Sequence, residues 1–488
     1  MTAKKKQAQV QQVEQQNEAE EEQIVTTDVD NSNQQVNEET NVQSELNDNV
    51  TTQEEEAAKP KKKKKEKVVE EEEEEVEEEE YEEEDEEGEQ LAWYKRINLV
   101  YLITFIVIAL VLGGAFIYRV SESGIKYTLN ADKTGYVVSC GRFYDPVVVA
   151  IPEEFRGKKV VEIAQEGFQD CVNLMKVEIP YTVQSIGSNA FFKCTSLKYV
   201  MMNDGLKAIG SKAFYGCSSI ASILLPETVT IINAGAFGEC ISIYQITIPK
   251  DCTTIGAQAF QYCTYLGKVN FAGTALTSIG KEAFIGCQNL TGSFVIPGSV
   301  KNIGEEAFAS CTGLTKVTIP ASVTQIRNEA FYGCTNLKEV VINAQLTEIA
   351  QGVFSDCEKL TTINIPDTVT VIRQRAFNNC AKLANINFPT ALKTIGKYAF
   401  AFCGEFTELT IPSTVTAIED YAFRFCRNLT NITINSAAVP TLGKEVFTKT
   451  NNEFNSESMV IKVPSGLLDS YKTATNWSLY ESVIQSQG

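Results

Sequence analysis

Residues 305–320 read EEAFASCTGLTKVTIP. Nearly the same string returns as NEAFYGCTNLKEVVI at 328–342 and as QRAFNNCAKLANINF at 374–388. Working outward from these copies, Phe recurs at 168, 191, 214, 237, 260, 284, 308, 331, 354, 377, 400, 423 and 447. Cys follows three residues later in each copy but the last, where Thr450 stands. The step is 23 residues, with 24 at three places. A fixed period of about 20–50 residues marks a solenoid or array.

The common sentence is A-F-x-x-C-x-x-L-x-x-V-x-I-P-x-x-V-T-x-I-G. L-x-x-V-x-I, as in Leu314, Val317 and Ile319, predicts a short strand with its apolar side turned inward. The Pro that follows, such as Pro180, Pro320 or Pro412, has no N–H to give a ladder and closes the strand. V-T-x-I predicts a second short extended piece. The A-F-x-x-C segment reads as about one and a half helical turns. Ala before Phe gives way only to Gly167, Val353 and Val446, so the neighbouring coil presses close there. One copy cannot bury its apolar side alone; stacked copies share a continuous core. The repeat resembles the BspA-like leucine-rich repeat of bacterial cell-surface proteins, over roughly residues 125–488. That resemblance implies a leucine-rich-repeat solenoid of short parallel strands and short helical turns. It also implies an adhesin-like role toward host matrix proteins or other bacteria.

Fourteen Cys in an exported chain would ordinarily read as disulfides. Equivalent residues on neighbouring coils point the same way, whereas a disulfide needs converging side chains. The Cys ladder is therefore read as a set of small buried hydrophobes. Cys252 agrees, since it fills a slot held by Val183 and Val369 in other copies. The chain has no His and no C-x-x-C pair, so no metal or cofactor is implied. The lack of His also excludes Ser-His-Asp, Cys-His and H-E-x-x-H chemistry. Carboxylates within the repeats are scattered, with no deviant insertion around them. The largest irregularities are single extra residues near Gly273 and Thr291 and a segment at 451–458. The chain is not expected to be an enzyme.

Residues 1–96 are a different material. KKKKKEK (61–67) is followed by VVEEEEEEVEEEEYEEEDEEGE (68–89), and blocks of like charge stay solvated and disordered. This segment holds 12 Lys+Arg against 32 Asp+Glu, a net of −20, which equals the net charge of the whole chain. Residues 97–488 are formally neutral, which argues against a nucleic-acid footprint. LVYLITFIVIALVLGGAFIY (99–118) has no charge and matches the ~20 residues needed to span a bilayer. Trp93, Tyr94 and Tyr118 suit an interfacial belt, and Lys95 and Arg96 on the leading side place the N-terminus in the cytoplasm. The lysine block could touch anionic lipid, but the acidic run between it and the span opposes that. It is read as solvated tail, with docking to a cytoplasmic partner as the alternative.

The expected organisation is a disordered cytoplasmic tail (1–96), a single transmembrane helix (97–119), a front cap (122–160), the solenoid (161–454) and a rear cap (455–488). The rear cap should hold a short amphipathic helix after Pro464, with Trp477 packed inward. Asn-x-Ser/Thr triplets at Asn289, Asn428, Asn431 and Asn476 carry little weight in a bacterial setting.

The strand column running Glu178, Met201, Leu224, Thr247, Asn270, Val295 is mostly small and uncharged, which suits a protein ligand or a ladder that only stabilises the sheet. On the other side, the residues two before and two after each Phe would share a helix face. They are polar or Gly in most copies, as in Lys212/Gly216 and Glu329/Gly333. Two adjacent copies break the pattern with Tyr398/Phe402 and Tyr421/Phe425, near Arg424 and Arg427. Contiguous exposed aromatics beside Arg mark partner sites; alternatively the rings fold onto local backbone or lie under the rear cap. Two functions stay open: a membrane-anchored receptor or adhesin that binds an extracellular protein, and a structural envelope protein that binds copies of itself.

Overall fold

The computed structural model describes residues 124–141, 144–448 and 459–487. The expected cytoplasmic tail, the membrane span at 97–119 and the irregular segment 451–458, with the first residues of the rear cap, lie outside those residues. Among the described residues no helix is long and apolar enough to cross a membrane.

Each coil runs through an inner strand, a Pro turn, a second short strand and the A-F-x-x-C turn. The inner strands pair in parallel and in register: Lys176–Ile179 lies beside Tyr199–Met202, with Val177 opposite Val200. Leu314–Ile319 lies beside Glu339–Ile342 in the same way. The alternating Val and Ile face the core, and Val177, Val317 and Ile319 are fully buried. Proline does close the strand. Its carbonyl then accepts the N–H three residues on, as from Val183 to Pro180 (3.1 Å) and from Val323 to Pro320 (3.2 Å).

The V-T-x-I pieces make the longer ladder. Two-residue strands such as Ser185–Ile186, Ala208–Ile209 and Ile231–Ile232 stack in parallel through Gln325–Ile326. A second run continues from Glu348–Ile349 to Thr441–Leu442. The inner ladder is more broken. Lys268–Phe271 and Gly292–Val295 belong to separate sheets, where the two extra residues fall. The register also shifts between Gly292 and Ser293. An added residue changes the path of one coil, so its strand no longer meets its neighbour's N–H and C=O groups in step.

Thirteen Phe rings form one unbroken pile from Phe168 to Phe447, with centroids 5.1–5.8 Å apart and planes within 18° of parallel. All are buried. Removing each ring from water stabilises the stack by roughly 2–3 kcal/mol, and none of that is available to an isolated coil.

The A-F-x-x-C segment is not helical, contrary to the sequence expectation. The residues two before and two after Phe have positive φ in each coil from Phe168 to Phe423, from Glu166 (55°) and Asp170 (56°) to Tyr421 (62°) and Phe425 (63°). The two left-handed residues stand four apart and frame the turn, and every second N–H from one to the other points to the next coil. Asn189, Phe191 and Lys193 donate to Ser211, Ala213 and Tyr215, while Phe192 and Cys194 donate back within their own coil. The turn is thus a cross-coil ribbon, and its closeness explains why only small residues precede Phe. Ala190, Ala213 and Ala236 have no exposed surface.

The Cys ladder does more than fill space. From Cys194 to Cys426 in the A-F-x-x-C slot, each thiol donates to the carbonyl of a Phe in the preceding coil. Examples are Cys194 to Phe168 (3.0 Å), Cys334 to Phe308 (3.2 Å) and Cys426 to Phe400 (3.1 Å). That carbonyl's other lone pair takes the backbone N–H of its own coil's Cys, as from Cys311 to Phe308 (3.3 Å). Cysteine supplies apolar bulk and one weak donor in a single side chain. All fourteen are free thiols. Cys252 lies buried in its Val slot and donates to the carbonyl of Thr254 (3.4 Å).

The front of the pile is covered by a hairpin of β1 (Ile125–Leu129) and β2 (Tyr136–Cys140), with β2 pairing in parallel with Lys158–Ile163. At the rear, Val460–Val463 joins the last inner strand, and α1 (Leu468–Thr473) follows Pro464. Trp477 is buried, donates its Nε1–H to Pro440 (2.7 Å) and sits 6.3 Å from the last Phe ring, Phe447.

Candidate functional site

The turn face is built by three columns: the two left-handed corners and, between them, the residue just after Phe. Near the front the middle column is bulky. Phe192 and Tyr215 stack at 5.4 Å, and Tyr215 donates to Glu239 (2.6 Å). Further along it shrinks to Ser355, Asn378 and Ala401, bracketed by Tyr332 and Arg424. A groove of about 520 Å³ opens there, bounded by Glu329 and Asp356 at one end and by Tyr398, Phe402 and Phe425 at the other. It crosses four inter-coil steps of 5.1–5.7 Å.

The sequence-derived residues divide cleanly. Tyr398 and Tyr421 stack at 4.7 Å with planes 16° apart. Phe402 and Phe425 pair at 4.7 Å and 30°. The pairs stand on opposite corner columns and so do not make one flat patch; Tyr398, Phe402 and Phe425 line the groove and Tyr421 does not. Arg424 joins them, its guanidinium 5.1 Å from the Tyr421 centroid and 4.7 Å from that of Phe425. It also pairs with Glu445 at 3.2 Å. Phe402 is 44% exposed, so the rear cap does not cover it. Arg427 is exposed and does not line the groove.

Four aromatic residues at positive φ are costly, because a left-handed L-residue loses roughly 1–2 kcal/mol and bulky ones are outliers. Other coils spend Gly at the same corners, including Gly216, Gly286 and Gly333. The rings recover part of the cost by stacking, about 0.5–1.5 kcal/mol per pair.

Charge is graded along the groove. Lys397 lies 5.6 and 5.8 Å from the Tyr398 and Tyr421 centroids, and Arg375 lies 5.8 Å from Tyr398. At the far end Asp356 accepts from Asn379 (2.8 Å) and Ser355 (3.0 Å). Burial, then the nearby Asp356, push the Tyr332 phenol above its ordinary pKa. One end is therefore acidic and polar, the other aromatic and cationic. Tyr332, Asp356, Arg375 and the small floor were missed in the sequence. Their signal is the drop in side-chain size after Phe in consecutive copies, which has meaning only once the turn is known to put that column between two walls. Among the described residues no group of three His, Cys, Asp or Glu could hold a metal ion.

The model of the BspA type leucine rich repeat region matches residues 161–291, 273–383 and 347–469, more than half of the chain. The chain belongs to this family. Leucine-rich repeat solenoids are typically binding scaffolds, with extended surfaces made by stacked repeats. A leucine-rich repeat protein from Bacteroides ovatus is similar at 25% identity and a TM-score of 0.54, covering 75% of this chain and 98% of its own. A leucine rich cell surface protein from Faecalibacterium prausnitzii has 25% identity and a TM-score of 0.46, with 75% and 97% covered. The pneumococcal vaccine antigen PcpA has 17% identity and a TM-score of 0.41, with 75% and 96% covered. Among curated proteins none matches the chain.

Proposed function

We propose that this protein is a membrane-anchored cell-surface scaffold that binds an extracellular protein in the groove of its turn face. The observation that carries the reading is the break in the repeat at Tyr398, Phe402, Tyr421 and Phe425, paired across Arg424. A uniform array has no structural need for bulky rings at left-handed corners. Four inter-coil steps match an extended segment of about six residues at roughly 3.3 Å each. Aromatic walls with Arg between them are the composition of binding hot spots. Family membership supports display outside the cell. The uncharged run 99–118, with Lys95 and Arg96 on its leading side, supports a single span with residues 1–96 in the cytoplasm. The proposed order is tail, span, front cap (122–160), solenoid (161–454) and rear cap (455–488).

A second reading, self-association through the strand face, is favoured by Tyr199, Met201 and Leu224, which are 58%, 51% and 66% exposed on neighbouring coils. A photoreactive residue placed at Asn378 on the groove floor, and separately at Met201, tests both on intact cells. The groove reading expects an adduct with a different protein from position 378. An adduct with the same chain from position 201 alone would replace it with the second reading. An antibody against residues 1–60 that labels unbroken cells would reverse the orientation.

A further inference from the structure

The first two cysteines stand apart from the ladder. Cys171 occupies the A-F-x-x-C slot of the first coil, where no earlier Phe carbonyl exists for its thiol. It meets Cys140 instead, at the end of β2, with the sulfurs 3.8 Å apart. Cys140 is partly exposed, unlike the buried ladder thiols, and its own thiol donates to the carbonyl of Tyr144 (2.8 Å). The two side chains come from the covering hairpin and the coil beneath it, not from equivalent positions on two coils. They therefore converge, which the ladder geometry denies to the rest.

We infer that Cys140 and Cys171 are a disulfide site that fastens the front hairpin to the first coil once the domain leaves the cytoplasm. The placement of that event outside the cell rests on the topology proposed above; the pairing itself does not. The oxidant is a disulfide, either an oxidised low-molecular-weight thiol or that of a thiol oxidoreductase. The accessible Cys140 gives up its proton and its sulfur attacks the oxidant, breaking that S–S bond and releasing one thiol. Cys171 gives up its proton and attacks Cys140 in the mixed disulfide, forming the Cys140–Cys171 bond and releasing the second thiol. Two protein thiols are oxidised by two electrons, and the oxidant is reduced to two thiols that take both protons. Burial raises the pKa of the Cys140 thiol, so its attack is slow unless catalysed. The bond closes a loop between positions 31 residues apart, which restricts the unfolded front end. A terminal coil has a neighbour on one side only, so it gains most from such a link.

The test uses the purified full chain equilibrated in oxidised glutathione or in dithiothreitol, followed by non-reducing tryptic mapping. Cys140 is the sole cysteine of peptide 134–142 and Cys171 that of peptide 160–176. The expected product joins these two peptides, two hydrogens lighter than their sum, with the ladder thiols still free. Oxidation should raise the thermal midpoint of the wild type and leave that of Cys140→Ser unmoved. Failure of the 134–142 and 160–176 peptides to join in oxidised glutathione, or disulfides scattered over the ladder, overturns the pairing. Alkylation of intact cells before lysis separates the two premises. A pair that joins in the purified chain but is reduced in cells overturns the extracellular placement and leaves the geometry standing.

Discussion

Replacing Cys334 by Ala, Ser and Asp separates two accounts of the cysteine ladder. Cys334 lies mid-stack without exposed surface, and its thiol donates to the Phe308 carbonyl at 3.2 Å. Cys334→Ala removes one buried atom of about methylene size, worth roughly 0.8 kcal/mol, and one weak hydrogen bond, worth about 0.5 kcal/mol. The carbonyl keeps the N–H of Cys311, so no polar group is orphaned. The expected cost is about 1–2 kcal/mol. Cys334→Ser decides the matter. In a purely apolar slot a buried hydroxyl costs about 1–3 kcal/mol, so Ser would fare worse than Ala. With an acceptor already aimed at the slot, the hydroxyl is satisfied and Ser equals or betters Ala. Cys334→Asp buries an unpaired charge and should prevent accumulation of folded protein. Urea unfolding of the three variants reads the order. Ser less stable than Ala by more than about 1 kcal/mol would refute the hydrogen-bonded ladder and return Cys to a plain hydrophobe.

Two further outcomes follow from the same geometry. Burial, then the neighbouring Glu282 and Glu329, raise the Glu306 carboxyl from 4.5 to about 7. A raised acid pKa favours the folded state below pH 4.5 and loses that contribution as pH rises to about 7. The group is half open to water, so screening limits the effect to about 1 kcal/mol. Glu306→Gln should therefore gain stability at pH 8 but not at pH 4, as thermal melts at the two pH values would read; equal gains at both would refute the shift. Trp477→Ala opens the rear cap at a cost of about 3–5 kcal/mol. In a stack of nearest neighbours the loss is local. Hydrogen exchange should show amides around Phe423 and Phe447 losing protection while those around Phe308 keep theirs, and uniform loss would contradict the additive picture.

Much of the fold was legible because a buried slot in a solenoid accepts few residues. Phe168 to Phe447 and the Val and Ile of the inner strands repeat since each copy meets the same neighbours. Trp477 and the helix after Pro464 were legible for the opposite reason, as apolar residues where the repeat stops. The A-F-x-x-C turn was misread because its three-residue spacing imitates a helix. The contrary sign was present in Gly216, Gly235, Gly286, Gly333 and Gly352, which recur at the two left-handed corners. At the candidate site, the four aromatic residues and Arg424 were visible as departures from a column. Tyr332, Asp356 and the floor were not, because depth depends on how columns stand to one another. Arg427 was drawn in by adjacency along the chain, although the turn carries it out of the groove.

The central claim is that the rings at the groove serve a partner and not the core, and the double variant Phe402→Ser/Phe425→Ser tests it most directly. Ser310 already holds this left-handed corner in an earlier coil. Losing one ring pair costs about 0.5–1.5 kcal/mol of stacking, and Ser keeps the Cβ that sets the left-handed penalty, so the midpoint should fall by no more than about 2–4 °C. The measurement is the thermal midpoint of the purified protein beside the yield of the adduct formed from position 378 on intact cells. The account predicts a midpoint within about 2–4 °C of wild type and a lost adduct. A midpoint lowered by many degrees would show the rings to be core, and an unchanged midpoint with an unchanged adduct would show them to be idle.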